Sequence, residues 1–137
     1  MKRSILIRIA AVLMFLHTVG HTFGVFGSKP PTPAIARVLQ DMDQNHFSFM
    51  GRSVSLGIFF EGYGVVLIVV LLFSSLVIWW LATQTESQLG SRLLLLSFLY
   101  LTVLALLEII YRFPYFLTVP AALCLLIALL RRPVQSS

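Results

Sequence analysis

The sequence predicts an all-α integral membrane protein: a four-helix bundle with a short interfacial helix in its first outer loop. Three observations carry that reading. Of 137 residues, 58% are hydrophobic and only 11% are charged, against about 25% charged in soluble domains. The apolar residues fall in four runs, at about 5–26, 54–82, 91–113 and 115–130, which compare with the roughly 20 residues a helix needs to cross a bilayer. Most of the ten Lys and Arg residues stand singly or in pairs at the ends of those runs, a placement that orients helices rather than one that grips nucleic acid. A single transmembrane domain over 1–137 follows, with one sizeable outer loop at about 27–53.

Charge sets the expected orientation. Lys2 and Arg3 precede the first run, Arg92 lies between the second and third, and Arg131 and Arg132 follow the fourth. The positive-inside rule makes all three places cytoplasmic, so the chain is predicted N-in and C-in in the cytoplasmic (inner) membrane. The outer loop also holds Lys29, Arg37 and Arg52, offset by Asp41 and Asp43. A basic start before an apolar stretch also describes a secretory signal, but the first run lacks an Ala-x-Ala end and carries two histidines, so an uncleaved helix is expected. The one cysteine, Cys124, excludes an internal disulfide or thiol-pair redox motif and reads as a small packing residue.

Each element has a local reason. In run one, His17 and His21 share a helical face with Gly20, Gly24 and Gly27, where small residues admit a neighbouring helix. Lys29-Pro30-Pro31 cannot continue a helix, whereas Thr32 and Pro33 make an N-cap and first turn for the next. Ile35, Val38, Leu39 and Met42 then repeat at helical spacing, which predicts an amphipathic segment lying on the membrane surface or over the bundle mouth. A packed surface loop is expected here rather than a moving lid. Run two is long for one crossing and ends on Trp79 and Trp80, an interfacial anchor. Within it, Glu61 stands between Gly57 and Gly64 on one face, as if toward a partner helix. Run three contains Glu108, Tyr111 and Arg112, with Glu108 and Arg112 in the order that favours an i, i+4 ion pair. Phe113-Pro114-Tyr115 predicts a tight hairpin, and Pro120 a kink in the short fourth run.

One constellation can carry chemistry. Counting inward from the outer ends at about 1.5 Å per residue puts His21, Glu61 and Glu108 in one layer, with His17 a turn deeper and Tyr111 and Arg112 near the mouth. Ionisable groups inside spans are expensive, so they face one another or a water-filled cavity. Three readings follow. The first is a polar clamp, His21 with Glu61 and Glu108 with Arg112, holding helices together. The second is a cavity in which His17, His21, Glu61 and Glu108 bind or protonate a lipid-soluble ligand such as a quinone or isoprenoid. The third is a metal site, since His17 and His21 at i, i+4 can address one ion with Glu61 or Glu108 completing the shell. The zinc-protease signature is absent, because Thr18 stands where that motif needs Glu. No chain of ionisable groups continues to the other side, Arg8 being the main exception, which argues against a through-membrane proton path.

His17-Thr-Val-Gly-His21, Gly57-Ile-Phe-Phe-Glu61-Gly-Tyr-Gly64 and Phe113-Pro114 together resemble the small bacterial four-helix membrane proteins of the DoxX-like kind, over about residues 4–130. The resemblance implies a bundle in the cytoplasmic membrane that in some members serves as a subunit of a quinone-linked oxidoreductase. A topological likeness to emopamil-binding sterol proteins is also present, without the spacings that would transfer an isomerase activity. The expected role is a binding or accessory subunit whose outer-leaflet polar cluster stabilises the bundle and can hold a hydrophobic small molecule. Its partners would be the lipid bilayer and another membrane subunit, not nucleic acid. The alternative is a membrane enzyme or redox-linked subunit acting on a quinone or isoprenoid lipid. The sequence specifies no cofactor.

Overall fold

A computed structural model describes residues 2–27 and 32–131. Lys29, Pro30, Pro31 and Arg132, on which expectations above rest, lie outside the described residues. In chain order the elements are α1 (Arg3–Phe26), α2 (Pro33–Gln44), β1 (His46–Phe49), β2 (Arg52–Ser55), α3 (Leu56–Leu81), α4 (Gln88–Ile110) and α5 (Thr118–Leu130). α1, α3 and α4 are long and apolar enough to cross a membrane. α5 is equally apolar, but its 13 residues rise only about 20 Å against the roughly 30 Å of a hydrocarbon core. The chain divides into two compact units, one comprising residues up to Thr18 and from Leu71 onward, the other Val19–Val70.

In the first unit, the buried stripes recur at helical spacing. Ile7, Ala11, Met14 and Thr18 line α1, Leu71, Ser75 and Ile78 line α3, and Ala121, Ala122, Leu125 and Ala128 line α5. Leu94, Leu101 and Glu108 are spaced seven apart on α4. These stripes share one core. Its many alanines permit close backbone approach, which is how helices associate where the surroundings are as apolar as the side chains. The Ser75 hydroxyl donates to the Ala11 carbonyl at 3.0 Å, tying α3 to α1. At the unit's other end the Arg3 guanidinium donates to the Thr85 carbonyl and to Ser91 Oγ at 3.3 Å, fastening the start of α1 to the α3–α4 turn.

The α3–α4 turn depends on Gly90. Ser87 caps α4 by accepting from the Gly90 amide at 2.9 Å, and a Cβ at Gly90 would fall on the Gln84 carbonyl. α4 ends earlier than its apolar run, at Ile110. Arg112 takes a left-handed φ of 59°, the Phe113 amide reaches back to the Glu108 carbonyl at 2.7 Å and the Arg112 amide to Ile109 at 3.3 Å. This is a Schellman cap with arginine at the position glycine usually holds. It corrects two expectations. Arg112 leaves the helical path and is exposed, so it forms no ion pair with Glu108. Pro120 falls in the first turn of α5, where an amide has no helical acceptor, so it imposes no kink.

The second unit contains what the sequence reading missed. Within the loop expected at 27–53, α2 starts as anticipated, with Thr32 Oγ1 accepting from the Ile35 amide at 3.2 Å and Pro33 in the first turn. A β-hairpin then pairs His46 with Ser55 and Phe49 with Arg52 through the two-residue turn Met50-Gly51, whose φ values of 50° and 79° suit a type I′ turn. The alternation Phe47-Ser48-Phe49 puts both rings on one face, where they meet Phe59 edge-on at 5.5 and 5.2 Å, and Phe59 meets Tyr63 at 4.9 Å. The hairpin therefore folds back along the first turns of α3. The Asn45 carbonyl accepts from the Leu56 amide at 3.0 Å and Ser55 Oγ from Ile58 at 3.1 Å, so hairpin and helix join without a linker. The close approach expected at Gly20 and Gly24 is absent, since a Cβ at either would meet nothing within 4 Å. It occurs instead at Gly64, against Val25, and at Gly57, where the Asp43 carboxylate occupies the space a Cβ would take.

Two pairs of variants test this account by thermal unfolding in detergent. Gly90→Ala should destabilise by about 2 kcal/mol or more through the clash with backbone, while Gly20→Ala should be neutral or stabilise by up to about 1 kcal/mol. Arg112→Gly should raise the melting temperature, because relieving the left-handed strain is worth about 1 kcal/mol, whereas Arg112→Val should lower it.

Candidate functional site

The polar site lies in the first unit and is centred on His17. Its ring nitrogens face two different partners: Nδ1 stands 2.8 Å from Thr118 Oγ1 and Nε2 stands 3.5 Å from Glu108 Oε1. Three helices contribute one group each. α1 supplies the imidazole on its core face, the last turn of α4 supplies the carboxylate, and the first residue of α5 supplies the hydroxyl. The short connection between α4 and α5 brings Thr118 back beside Glu108, and its hydroxyl acts on that carboxyl as well.

Burial makes the arrangement consequential. Thr118 is fully buried, and the side chains of His17 and Glu108 are 12% and 8% exposed. At such low exposure an unpaired polar group costs about 1–3 kcal/mol, and an unpaired charge more. The direction of each contact depends on the imidazole tautomer: a proton on Nε2 faces the Glu108 carboxyl and leaves Nδ1 to accept the Thr118 O–H, whereas a proton on Nδ1 is donated to Thr118 Oγ1 and frees that O–H for the carboxyl. Glu108 Oε2 is buried without a hydrogen-bond partner among the described residues. A hydroxyl, imidazole and carboxylate in series is also the order found in activated nucleophiles. Here the hydroxyl is sealed inside the helix junction, so no reacting group reaches it.

The other candidates stand elsewhere. In the second unit His21 donates from Nε2 to the Gly64 carbonyl at 3.3 Å, a backbone contact rather than the expected pairing with Glu61. Glu61 is exposed and engages no side-chain partner among the described residues. Tyr111 and Arg112 are exposed beyond the end of α4. His46, in the hairpin, faces the Gln44 carbonyl at 3.0 Å. Among the described residues no group of three or more His, Cys, Asp or Glu is placed to hold a metal ion. The donors proposed for one are engaged otherwise: His17 by Thr118 and Glu108, His21 by a carbonyl. Depth counting from level run ends set Glu108 in one layer with His21 and left His17 a turn deeper, whereas Glu108 stands beside His17. His17 lies nine residues from the end of α1, while Glu108 lies two from the end of α4.

Thr118 was not among the candidates. A threonine at a helix start ordinarily satisfies itself locally, and only its place one short turn after Glu108 hinted at more. No family model matches the chain, and no curated protein or solved structure is similar to it. The resemblance to DoxX-like proteins rests on its motifs alone.

His17→Ala strands Glu108 and should destabilise by about 3 kcal/mol, the size expected when one partner of a buried pair is removed. The double variant His17→Leu/Glu108→Leu should recover much of that loss, and His21→Ala should change stability by less than about 1 kcal/mol. Urea or thermal titrations in detergent, combined as a double-mutant cycle, read all of these. Additive losses would show that His17 and Glu108 do not interact.

Proposed function

We propose that this chain is a small integral membrane protein of the cytoplasmic membrane, N-in and C-in, acting as a binding or accessory subunit and not as an enzyme. Its polar cluster is a clamp that sets the mutual position of α1, α4 and α5, presenting a fixed apolar surface to lipid and to a partner subunit. The observation that carries this reading is the satisfaction of His17 from both sides by Thr118 and Glu108 with the hydroxyl buried. Such a group fastens helices and keeps the Thr118 hydroxyl away from a reactant. The large exposed apolar side chains along α1, α3 and α4 support the membrane setting, since water does not tolerate patches of that extent.

A second reading is favoured by one specific observation, the unpartnered Glu108 Oε2. A buried carboxylate oxygen with a free lone pair is suited to a ligand hydroxyl or to a proton passing to a quinone. In that reading the cluster belongs to a redox-linked or isoprenoid-directed subunit of the DoxX-like kind.

Native mass spectrometry with elemental analysis separates the two. For the clamp, wild type should carry no stoichiometric quinone, isoprenoid or metal that Glu108→Gln loses, and His17→Ala should melt lower with its lipid complement unchanged. A bound quinone or isoprenoid lost from a still-folded Glu108→Gln variant would replace the clamp with the binding site.

A further inference from the structure

Arg8 is the one strongly polar group on the outward face of α1, and nothing in the clamp uses it. It lies five residues, about 7.5 Å, inside the start of the helix. Exposed Ile5, Ile9 and Val12 surround it on the same face. Its guanidinium carbon sits 5.4 Å from the ring centroid of Trp79, which is itself half exposed near the end of α3. No carboxylate among the described residues pairs with it. Both residues belong to the first unit, so their stacking is a feature of one compact body.

A guanidinium on an apolar, outward face this close to a helix end extends its stem toward the interface, where an anion can meet it. The Trp79 ring lies beneath the guanidinium carbon of an exposed Arg8. A guanidinium presents the N–H fork that matches a phosphate bidentately. The surrounding charge agrees. The bonds from Arg3 to Thr85 and Ser91 bring the start of α1, the α3–α4 turn and the start of α4 to one end of the unit, and the charged residues of those segments are Lys2, Arg3, Glu86 and Arg92. A basic surface beside an apolar wall is complementary to a lipid that carries a negative headgroup on acyl chains.

We propose that Arg8 and Trp79 form a binding site for an anionic phospholipid, with the phosphate on the Arg8 fork and an acyl chain along Ile5, Ile9 and Val12. The proposal rests on the membrane reading above and adds a ligand class and a location to it. The probe is Trp79 itself. In a Trp80→Phe variant it is the sole tryptophan, and its fluorescence is measured in phosphatidylcholine vesicles containing equal small fractions of brominated phosphatidylglycerol or brominated phosphatidylcholine. Quenching by the anionic lipid should correspond to a local enrichment of about fivefold, as expected of one arginine at an anionic surface. Arg8→Gln should abolish the preference, and Arg92→Gln, which removes an equal charge from the same end, should preserve it. Equal quenching by the two lipids, or an equal loss in Arg92→Gln, would overturn the site and leave the membrane reading intact. Absence of quenching by either lipid would overturn both.

Discussion

A buried imidazole must satisfy two nitrogens at once, and in this chain that requirement joins three helices. His17 meets it with a hydroxyl on one side and a carboxylate on the other. Neither partner is exchangeable for water at this burial, so the separation of α1, α4 and α5 is held by groups whose rupture leaves a charge or a donor stranded. The alanine-rich core supplies contact area but little direction, because small apolar residues slide past one another. Direction comes from the clamp, from Ser75 on the Ala11 carbonyl, and from Arg3 on the α3–α4 turn.

The placement of Glu108 in that clamp depends on how its helix stops. Had α4 continued to Phe113, Arg112 would lie one turn above Glu108 and compete for its carboxylate. The left-handed Arg112 ends the helix and turns the chain within a few residues, so α5 begins with Thr118 beside the site. A strained cap thus selects histidine over arginine as the partner of the carboxylate. The same economy of connection appears in the second unit, where the β-hairpin passes directly into α3 and aromatic rings hold the two together.

Polar residues in this protein divide by what satisfies them. His17 is met by side chains of α4 and α5, Glu108 by His17 with its second oxygen left unpartnered among the described residues, and His21 by a backbone carbonyl. Glu61 and Arg8 face outward, where only solvent, headgroups or another molecule can serve them. Arg8 has the Trp79 ring 5.4 Å from its guanidinium carbon, whereas Glu61 has no such neighbour among the described residues.

Much of the architecture was legible without coordinates. Run length and composition located the three long helices, and Thr32-Pro33 located the start of α2, because hydropathy and capping are local properties. The hairpin was obscured by its brevity and by Met50 in a turn where Asn would have signalled it. Within the site, sequence singled out His17 and Glu108, since charged and titratable groups are rare in apolar runs. Their partners were not legible. Which histidine meets the carboxylate depends on where each helix ends, and Thr118 is an ordinary helix-start residue until the chain reversal sets it between the two. Local physics identified the groups that had to be satisfied; only the packing of distant segments decided by what, because a side chain's partner is a property of three-dimensional register and not of the residues adjacent to it.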